Sequence, residues 1–226
     1  MATQYAFGKI ITDGLVLCLD AADRNSYISG SSTWRDVAGS NNGTLTNGPT
    51  FSSSNGGSIV FDGVDDNVQI SNSTSTNIIG SGITVSVWVK FSNVGNYKTI
   101  FVKDNPTLNS SGYQVYISNT ERSRWGITTS NGFNYMFGTV LSTNTWYNIL
   151  GKYDGTTNYL YENGVLVNSQ SCTGNIVDSS NFSIYMGRYR GEELTGNISI
   201  TQIYNRSLSA SEVLQNYSAQ KSRFGL

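Results

Sequence analysis

The sequence predicts an all-β protein, a two-sheet antiparallel sandwich with one short C-terminal helix. Three observations support this prediction. Short apolar segments recur roughly every 10 to 15 residues, a spacing typical of sandwiches. The segments between them are rich in Ser, Thr, Asn and Gly, with 24 Gly but only 2 Pro among 226 residues. The 14 Tyr, 9 Phe and 4 Trp provide bulky side chains for a core.

No linker-like stretch interrupts this pattern, so we expect one domain over residues 13–226, preceded by an N-terminal arm over residues 1–12. Apolar runs predict the strands, and turn residues bound each of them. Residues 20–57 and 71–82 are expected to be mainly turns and loops. The predicted strands are residues 14–19, 58–61, 67–70, 83–91, 99–103, 113–118, 124–128, 133–137, 145–153, 158–167 (a hairpin), 182–187 and 197–204.

The strand at residues 83–91 has the clearest alternation. Ile83, Val85, Val87 and Val89 face one way, and Thr84, Ser86, Trp88 and Lys90 face the other. Successive side chains of a strand point to opposite faces of the sheet, so one face of this strand belongs to the core. We expect Trp88 and Trp146 to be core residues as well.

Two local signals define a hairpin and a helix. Asn163-Gly164 separates two apolar segments, and both residues tolerate the positive φ of a type I′ turn. Ser209 and Glu212 have the spacing of a helix capping box. This predicts a helix over about residues 210–219, with Leu208 and Val213 as its hydrophobic staple, followed by a short basic tail.

Composition excludes several kinds of function. The formal net charge is −1 and no basic stripe is present, so nucleic-acid binding is not expected. No apolar run approaches the roughly 18 residues of a membrane-spanning helix, so membrane insertion is not expected. Histidine is absent, which excludes Ser-His-Asp and Cys-His catalysis and histidine metal sites. Cys18 and Cys172 lack metal-site spacing and are expected to be free and buried, with a disulfide as the minority alternative.

Several strings, taken in order, resemble one fold family. They are Trp34-Arg35-Asp36 with Asn41-Asn42-Gly43-Thr44, SIVFDGVDD at residues 58–66, the Trp-bearing strand 83–91, and the closing segments 146–164 and 196–209. Together they resemble the concanavalin A-like, laminin-G-like jelly-roll family. The resemblance implies two curved antiparallel sheets packed face to face. That fold serves glucanases, lyases, lectins and adhesion domains, so it does not decide function.

A second resemblance concerns the two ends of the chain. DGLVL at residues 13–17 and AQKSRFGL at residues 219–226 resemble structural proteins, decoration or fibre proteins, of tailed marine bacteriophages. It implies a protein made in the host cytoplasm and displayed on the virion surface, with capsid or fibre proteins as partners. The absence of a signal-like segment at residues 1–9 agrees with this expectation. The arm at residues 2–11 or the basic tail at residues 221–224 would be the anchor, and an extracellular location is the alternative.

The acidic residues do not predict an enzyme. Retaining glycosidases need two carboxylates about 5 Å apart, and the glucanase branch places them alternately on one strand. Glu162 falls in the hairpin and Glu212 in the helix cap, while Glu192 and Glu193 are neighbours in an expected loop. Because the sequence offers no combination of nucleophile and base, we predict a non-enzymatic protein.

A metal site is one interpretation of the acidic turn at Asp62, Asp65 and Asp66. Calcium prefers six to eight oxygen ligands, and these carboxylates could supply some of them. The favoured alternative is a tight turn stabilised by Asx hydrogen bonds. Ser199 stands where the family often has an acidic residue, which argues against calcium. No cofactor is therefore required, and calcium remains open.

Sugar binding would use aromatic faces together with polar side chains in a groove. Packing within a β sandwich is the more common role of such aromatic residues. The candidates on polar strand faces or in loops are Tyr116, Arg124, Asn134, Tyr135, Arg188 and Tyr189.

The leading hypothesis is a non-enzymatic virion surface protein, a capsid decoration or fibre/adhesion domain, with weak binding of host-cell glycans as a secondary role. The alternative is a cellular carbohydrate-binding, lectin-like module. A glycan hydrolase or lyase is the third. Decoration proteins are often homo-oligomers, but nothing in the sequence specifies a symmetry.

Overall fold

The computed structural model describes residues 9–104 and 112–226. Two 3₁₀ helices, Ser54–Gly56 and Lys221–Phe224, and one α-helix, α1 (Ala210–Gln220), accompany the strands. The strands are β1 (Leu15–Asp20), β2 (Thr33–Trp34), β3 (Gly43–Thr46), β4 (Thr50–Ser52), β5 (Ser58–Asp62), β6 (Asn67–Ile70), β7 (Ile83–Phe91), β8 (Lys98–Lys103), β9 (Tyr113–Ile117), β10 (Arg122–Thr129), β11 (Gly132–Val140), β12 (Tyr147–Tyr153), β13 (Thr157–Glu162), β14 (Val165–Ser171), β15 (Ile184–Met186), β16 (Arg188–Tyr189), β17 (Glu192–Glu193) and β18 (Thr195–Tyr204).

The strands form two eight-stranded antiparallel sheets and one two-stranded hairpin, β16–β17. The first sheet has the order β14-β13-β12-β7-β18-β5-β4, and β1 also pairs with β18. The second sheet has the order β11-β10-β9-β8-β15-β6-β3-β2. This arrangement confirms the predicted all-β, two-sheet antiparallel sandwich with a short C-terminal helix.

The main core lies between the two sheets and follows the alternation of the strands. Val85, Val87 and Val89 of β7 are fully buried in it, as are Trp125 and Ile127 of β10. The predicted alternation of β7 is therefore confirmed, and its odd-numbered residues are the ones that face the main core. Burial of side chains of this size stabilises the fold by about 1.5–3 kcal/mol each.

Residues 20–57 differ from the prediction, because β2, β3 and β4 lie within this segment. These strands have only two to four residues each, too few to show a periodic pattern. They form through pairing with one another and with later strands, and β2 pairs with β3. β3 pairs with β6, and β4 pairs with β5.

The hairpin and the helix cap are confirmed. Asn163 and Gly164 have φ values of 50° and 76°, as a type I′ turn requires. The Ser209 hydroxyl accepts a hydrogen bond from the Glu212 amide, and the Glu212 carboxylate accepts one from the Ser209 amide. The staple residues Leu208 and Val213 are buried in one cluster.

The C-terminal segment packs on the outer face of the first sheet. Phe224 stacks on Trp88 with ring centroids 4.0 Å apart, and Trp146 lies 4.8 Å from Phe224. Trp88 Nε1 donates a hydrogen bond of 2.7 Å to Gln220 Oε1. Trp88 and Trp146 are thus buried as predicted, but in a cluster beneath the C-terminal segment rather than between the sheets.

The basic tail, considered as an anchor, is part of the folded body. Arg223 forms an ion pair with Asp20 at 2.8 Å, and the same guanidinium donates to Ser199 Oγ at 2.9 Å. At the other end, the Ile11 amide donates to Asn216 of α1 at 2.8 Å, and Tyr204 donates to the Ile11 carbonyl. The predicted arm at residues 1–12 otherwise lies largely outside the described residues.

Both cysteines are unpaired and buried. Burial raises the pKa of the Cys18 thiol to about 12, with the nearby Asp20 carboxylate adding to the effect. Within the described part of the chain, no helix is long and apolar enough to cross a membrane.

We expect Phe224→Ala to destabilise the protein by about 3 kcal/mol, because it removes a buried ring from the cluster around Trp88. Leu226→Ala, two residues further on and 43% exposed, should change the free energy of unfolding by less than about 0.5 kcal/mol. Chemical denaturation followed by tryptophan fluorescence measures both. Equal effects of the two substitutions would contradict this account of the tail.

The capping box predicts a pH dependence of stability. Hydrogen bonds from Arg206 and the Ser209 amide hold the pKa of Glu212 at about 2, against an ordinary value of 4.5. Its folded pKa is the lower one, so its stabilisation is present above about pH 4.5 and is lost as the pH falls towards 2. We expect Glu212→Gln to cost about 1 kcal/mol at neutral pH and nearly nothing at the acid end.

Thermal unfolding of both proteins across this pH range tests the expectation. Leu214→Ala, at a 53% exposed position of α1 outside the capping box, is the matched control. A difference between wild type and Glu212→Gln that stays constant with pH would contradict the assigned role of the carboxylate.

Candidate functional site

Strand β10 places Arg124 on the outer face of the second sheet. Its neighbour Trp125 faces the main core, so the alternation of the strand turns Arg124 away from it. Residues paired across neighbouring strands share a face. Arg124 pairs with Tyr116 of β9 and with Phe137 of β11, and these side chains therefore lie on the same outer face.

Four aromatic rings surround the Arg124 guanidinium. The distances from its central carbon to the ring centroids are 4.7 Å for Tyr135, 5.6 Å for Phe133, 5.7 Å for Tyr116 and 5.9 Å for Tyr97. We call Arg124 and these four rings the Arg124 platform. Cation–π attraction of about 0.5–2 kcal/mol per favourable contact holds the guanidinium in place.

The platform is open to solvent on one side. Tyr135 is 47% exposed, and Arg124, Phe133 and Tyr97 are half-buried. Tyr135 also contacts Phe133 and Phe137, with ring centroids 5.6 and 5.7 Å away. The edge strand β11 therefore presents three consecutive outward aromatic residues beside the guanidinium.

Tyr116 extends the aromatic surface towards the β16–β17 hairpin. Its ring is buried in a cluster with Val102 and Tyr189, and Tyr185 packs against them. Tyr189 donates a hydrogen bond of 2.7 Å to the Asp104 carbonyl, and burial raises the pKa of Tyr189 to about 12. This hydroxyl is a structural donor at neutral pH.

The side chains of Glu192 and Glu193 lie on opposite faces of the β16–β17 hairpin. Glu192 pairs with Tyr189 across the hairpin, and Glu193 pairs with Arg188. Glu193 forms an ion pair of 3.4 Å with Arg188, whereas Glu192 faces Tyr116 and Arg124. Burial raises the pKa of Glu192, against the opposing influence of the Tyr116 hydroxyl and Arg124.

Four of the six predicted sugar-binding residues come together on this face: Tyr116, Arg124, Tyr135 and Tyr189. Arg188 lies on the other face of the hairpin, paired with Glu193. Asn134 pairs with the core residue Ile127 and thus points between the sheets. Its side-chain oxygen accepts a hydrogen bond of 3.0 Å from Asn158, which in turn accepts one from Trp125.

Three further members of this surface are not among the sequence candidates: Tyr97, Phe133 and Glu192. Phe133 could have been found, because it lies two residues before Tyr135 and shares its face. Tyr97 and Glu192 lie just before β8 and in β17, and only the packing of these elements brings them to Arg124. No sequence pattern indicates that contact.

The acidic turn brings Asp62, Asp65 and Asp66 together, with one carboxylate oxygen of each within 4.8 Å of the others. Two of these carboxylates already accept hydrogen bonds from backbone amides. Asp66 accepts a hydrogen bond of 3.0 Å from the Asp62 amide, and Asp62 accepts one of 2.8 Å from the Val64 amide. Burial raises the pKa of Asp66. This pattern favours the Asx-turn interpretation over calcium.

We expect millimolar Ca²⁺ to leave the thermal unfolding temperature unchanged, because the turn is stabilised by backbone hydrogen bonds rather than by an ion. A cation that bound the folded state would raise that temperature. Unfolding with Ca²⁺, with Mg²⁺ and with a chelator measures the effect. A rise specific to Ca²⁺ and lost in Asp65→Asn would establish a calcium site instead.

A cleft of about 840 Å³ lies elsewhere, along β1 and the loop at residues 35–42. The carboxylates that line it are engaged within the fold. Asp36 accepts hydrogen bonds from the Cys18 and Ala38 amides, and Asp20 is paired with Arg223. The Arg124 platform, whose buried Nε donor has no partner within residues 9–104 and 112–226, is the better candidate binding site.

Comparison with solved structures finds the same fold in bacterial toxins. The binding domain of Paraclostridial Mosquitocidal Protein 1 superposes with a TM-score of 0.72 at 18% identity, over 91% of this chain and 52% of that one. The receptor binding domain of botulinum neurotoxin C/D mosaic serotype gives 0.71 at 20% identity, over 93% and 52%. The botulinum neurotoxin serotype D ligand binding domain, in complex with N-acetylneuraminic acid, gives 0.71 at 21%, over 93% and 52%.

The chain thus spans about half the length of each of these structures, and identities near 20% show a shared fold only. No curated protein sequence matches the chain. A family model described as "Concanavalin A-like lectin/glucanases superfamily" matches residues 61–214, which is most of the two sheets and part of α1. The expected concanavalin A-like, laminin-G-like resemblance is confirmed: the chain belongs to the concanavalin A-like lectin/glucanase superfamily.

Proposed function

We propose that this chain is a non-enzymatic, lectin-like module that binds glycans through the Arg124 platform. One observation carries the proposal: a half-buried guanidinium lies within 4.7–5.9 Å of four ring centroids on an outer sheet face. Sugar rings present apolar C–H faces that pack on aromatic rings, and their hydroxyls pair with fixed polar groups. Arg124 as donor and Glu192 as acceptor provide such groups beside the rings.

The arrangement of carboxylates supports binding rather than hydrolysis. Glu192 and Glu193 occupy opposite faces of their hairpin, so they cannot flank one glycosidic bond. Solved structures of similar fold are named as receptor-binding or ligand-binding domains. That is a property of those proteins, and it agrees with a binding role on this fold.

We further propose that the module is displayed on a larger particle, a virion shell or fibre, and faces host-surface glycans. The phage-like strings at residues 13–17 and 219–226 support this placement. Both lie on or next to the first sheet, where residues 9–11 pack on α1 and Phe224 packs on Trp88. Attachment through that side would leave the Arg124 platform, on the opposite sheet, directed outwards.

We expect Arg124→Ala and Tyr135→Ala each to weaken glycan binding at least about tenfold. Tyr135 is exposed, so its substitution should leave stability within about 0.5 kcal/mol of the wild type. Glycan-array binding identifies a ligand, and calorimetric titration of that ligand measures the affinities.

The matched control is Arg24→Ala, which removes an exposed arginine from the loop after β1. It should leave the affinity unchanged. Wild-type protein that binds no glycan would overturn the proposal, as would binding that survives both platform substitutions. Presence or absence of the chain in purified virions of its source, seen by cryo-electron microscopy, tests the display proposal separately.

A further inference from the structure

We infer that the Arg124 platform selects acidic glycans, with an oxyanion of the sugar, carboxylate or sulfate, bound by the Arg124 guanidinium. The rings of the platform would pack against the sugar that carries this group. The inference rests on the proposed function and names the class of ligand that the same site prefers.

The first step compares the arginines of this region. Arg188 has an acidic partner, Glu193, at 3.4 Å, and Arg190 has Asp104 at 3.3 Å. Arg124 takes part in none of the ion pairs found among residues 9–104 and 112–226. Arg122 of the same strand also lies outside those ion pairs, but its guanidinium donates a hydrogen bond of 2.9 Å to the Gly138 carbonyl.

The second step concerns its hydrogen-bond donors. Arg124 Nε is fully buried and has no hydrogen-bond partner within the described part of the chain. A guanidinium has five N–H donors in a planar fork, and aromatic faces are much weaker acceptors than oxygen. The four rings therefore balance part of the charge while leaving donors unsatisfied.

The third step is the chemistry that would complete this site. The unpartnered Nε shows that the guanidinium lacks acceptors within the fold, and an acceptor bound at the solvent-exposed part of this half-buried group compensates its charge. Carboxylates and other oxyanions accept two parallel N–H bonds from an arginine fork, in hydrogen bonds about twice as strong as neutral ones. A neutral sugar hydroxyl offers no charge and only one such contact. The site thus favours an acidic sugar over its neutral counterpart.

Glu192 acts against an anion at the same place. Its carboxylate lies near enough to interact with Arg124 and with Tyr116, but it does not form an ion pair with Arg124. A negative charge there repels a bound oxyanion, while its oxygens suit neighbouring sugar hydroxyls. Removing the charge of Glu192 and removing that of Arg124 should therefore change acidic-glycan affinity in opposite directions.

The test is an array that carries sialylated, uronate-containing and sulfated glycans beside their desialylated, carboxyl-reduced and desulfated counterparts. The strongest acidic glycan and its neutral counterpart are then titrated into wild type, Arg124→Gln, Glu192→Gln and Arg24→Gln. Circular dichroism and thermal unfolding confirm that each variant is folded. The carboxylate and sulfate members of the array show which oxyanion is preferred.

We expect the wild type to prefer the acidic glycan at least about tenfold, and added salt to reduce that preference. Arg124→Gln should bind both glycans with similar, weaker affinity. Glu192→Gln should bind the acidic glycan several-fold more tightly, because a repulsive charge is gone, and Arg24→Gln should match the wild type.

Equal binding of acidic and neutral glycans by the wild type would overturn the inference and leave the proposed function standing. A preference for acidic glycans that persists in Arg124→Gln would overturn the assignment to Arg124. Absence of binding to any glycan would overturn the proposed function together with the inference.

Discussion

The contact between Trp125 and Gly151 sets the spacing of the sandwich, and the candidate site depends on it. Trp125 of the second sheet lies so close to Gly151 of the first that a Cβ on Gly151 would fall 2.0 Å from the indole ring. The indole Nε1 donates a 2.7 Å hydrogen bond to Asn158 in the first sheet, so the ring is fixed in direction as well as in depth. With Trp125 held inwards, the preceding residue, Arg124, has to face outwards.

The two outer faces of the sandwich have different roles in the structure. The outer face of the first sheet is covered by α1 and the C-terminal 3₁₀ helix, which bury Trp88. The outer face of the second sheet is left with the Arg124 platform and the small β16–β17 hairpin beside it. The apolar rings on the first face are covered by the C-terminal segment, whereas Tyr135 on the second face remains 47% exposed.

Local sequence signals predicted much of the fold, since they need only neighbouring residues. The alternation at residues 83–91, the Asn163-Gly164 turn and the Ser209–Glu212 capping box were all confirmed. β2 to β4 were missed because strands of two to four residues are too short to show a periodic pattern. For the candidate site, Asn134 shows how far prediction from sequence reaches. It was expected on a polar strand face or in a loop, but its pairing with Ile127 turns it towards the core. Only the register between β10 and β11 decides that direction.

Burial of the two thiols makes the folded protein unreactive towards thiol reagents. The chain has no cysteine other than Cys18 and Cys172, and burial raises the pKa of both. Since the thiolate is the reactive form, neither should react with an alkylating reagent while the sandwich is closed. Cys18 lies in β1 at the edge of the first sheet, and Cys172 follows β14 at the other end of that sheet. Their separate labelling rates would therefore report how often each edge of the same sheet opens in solution.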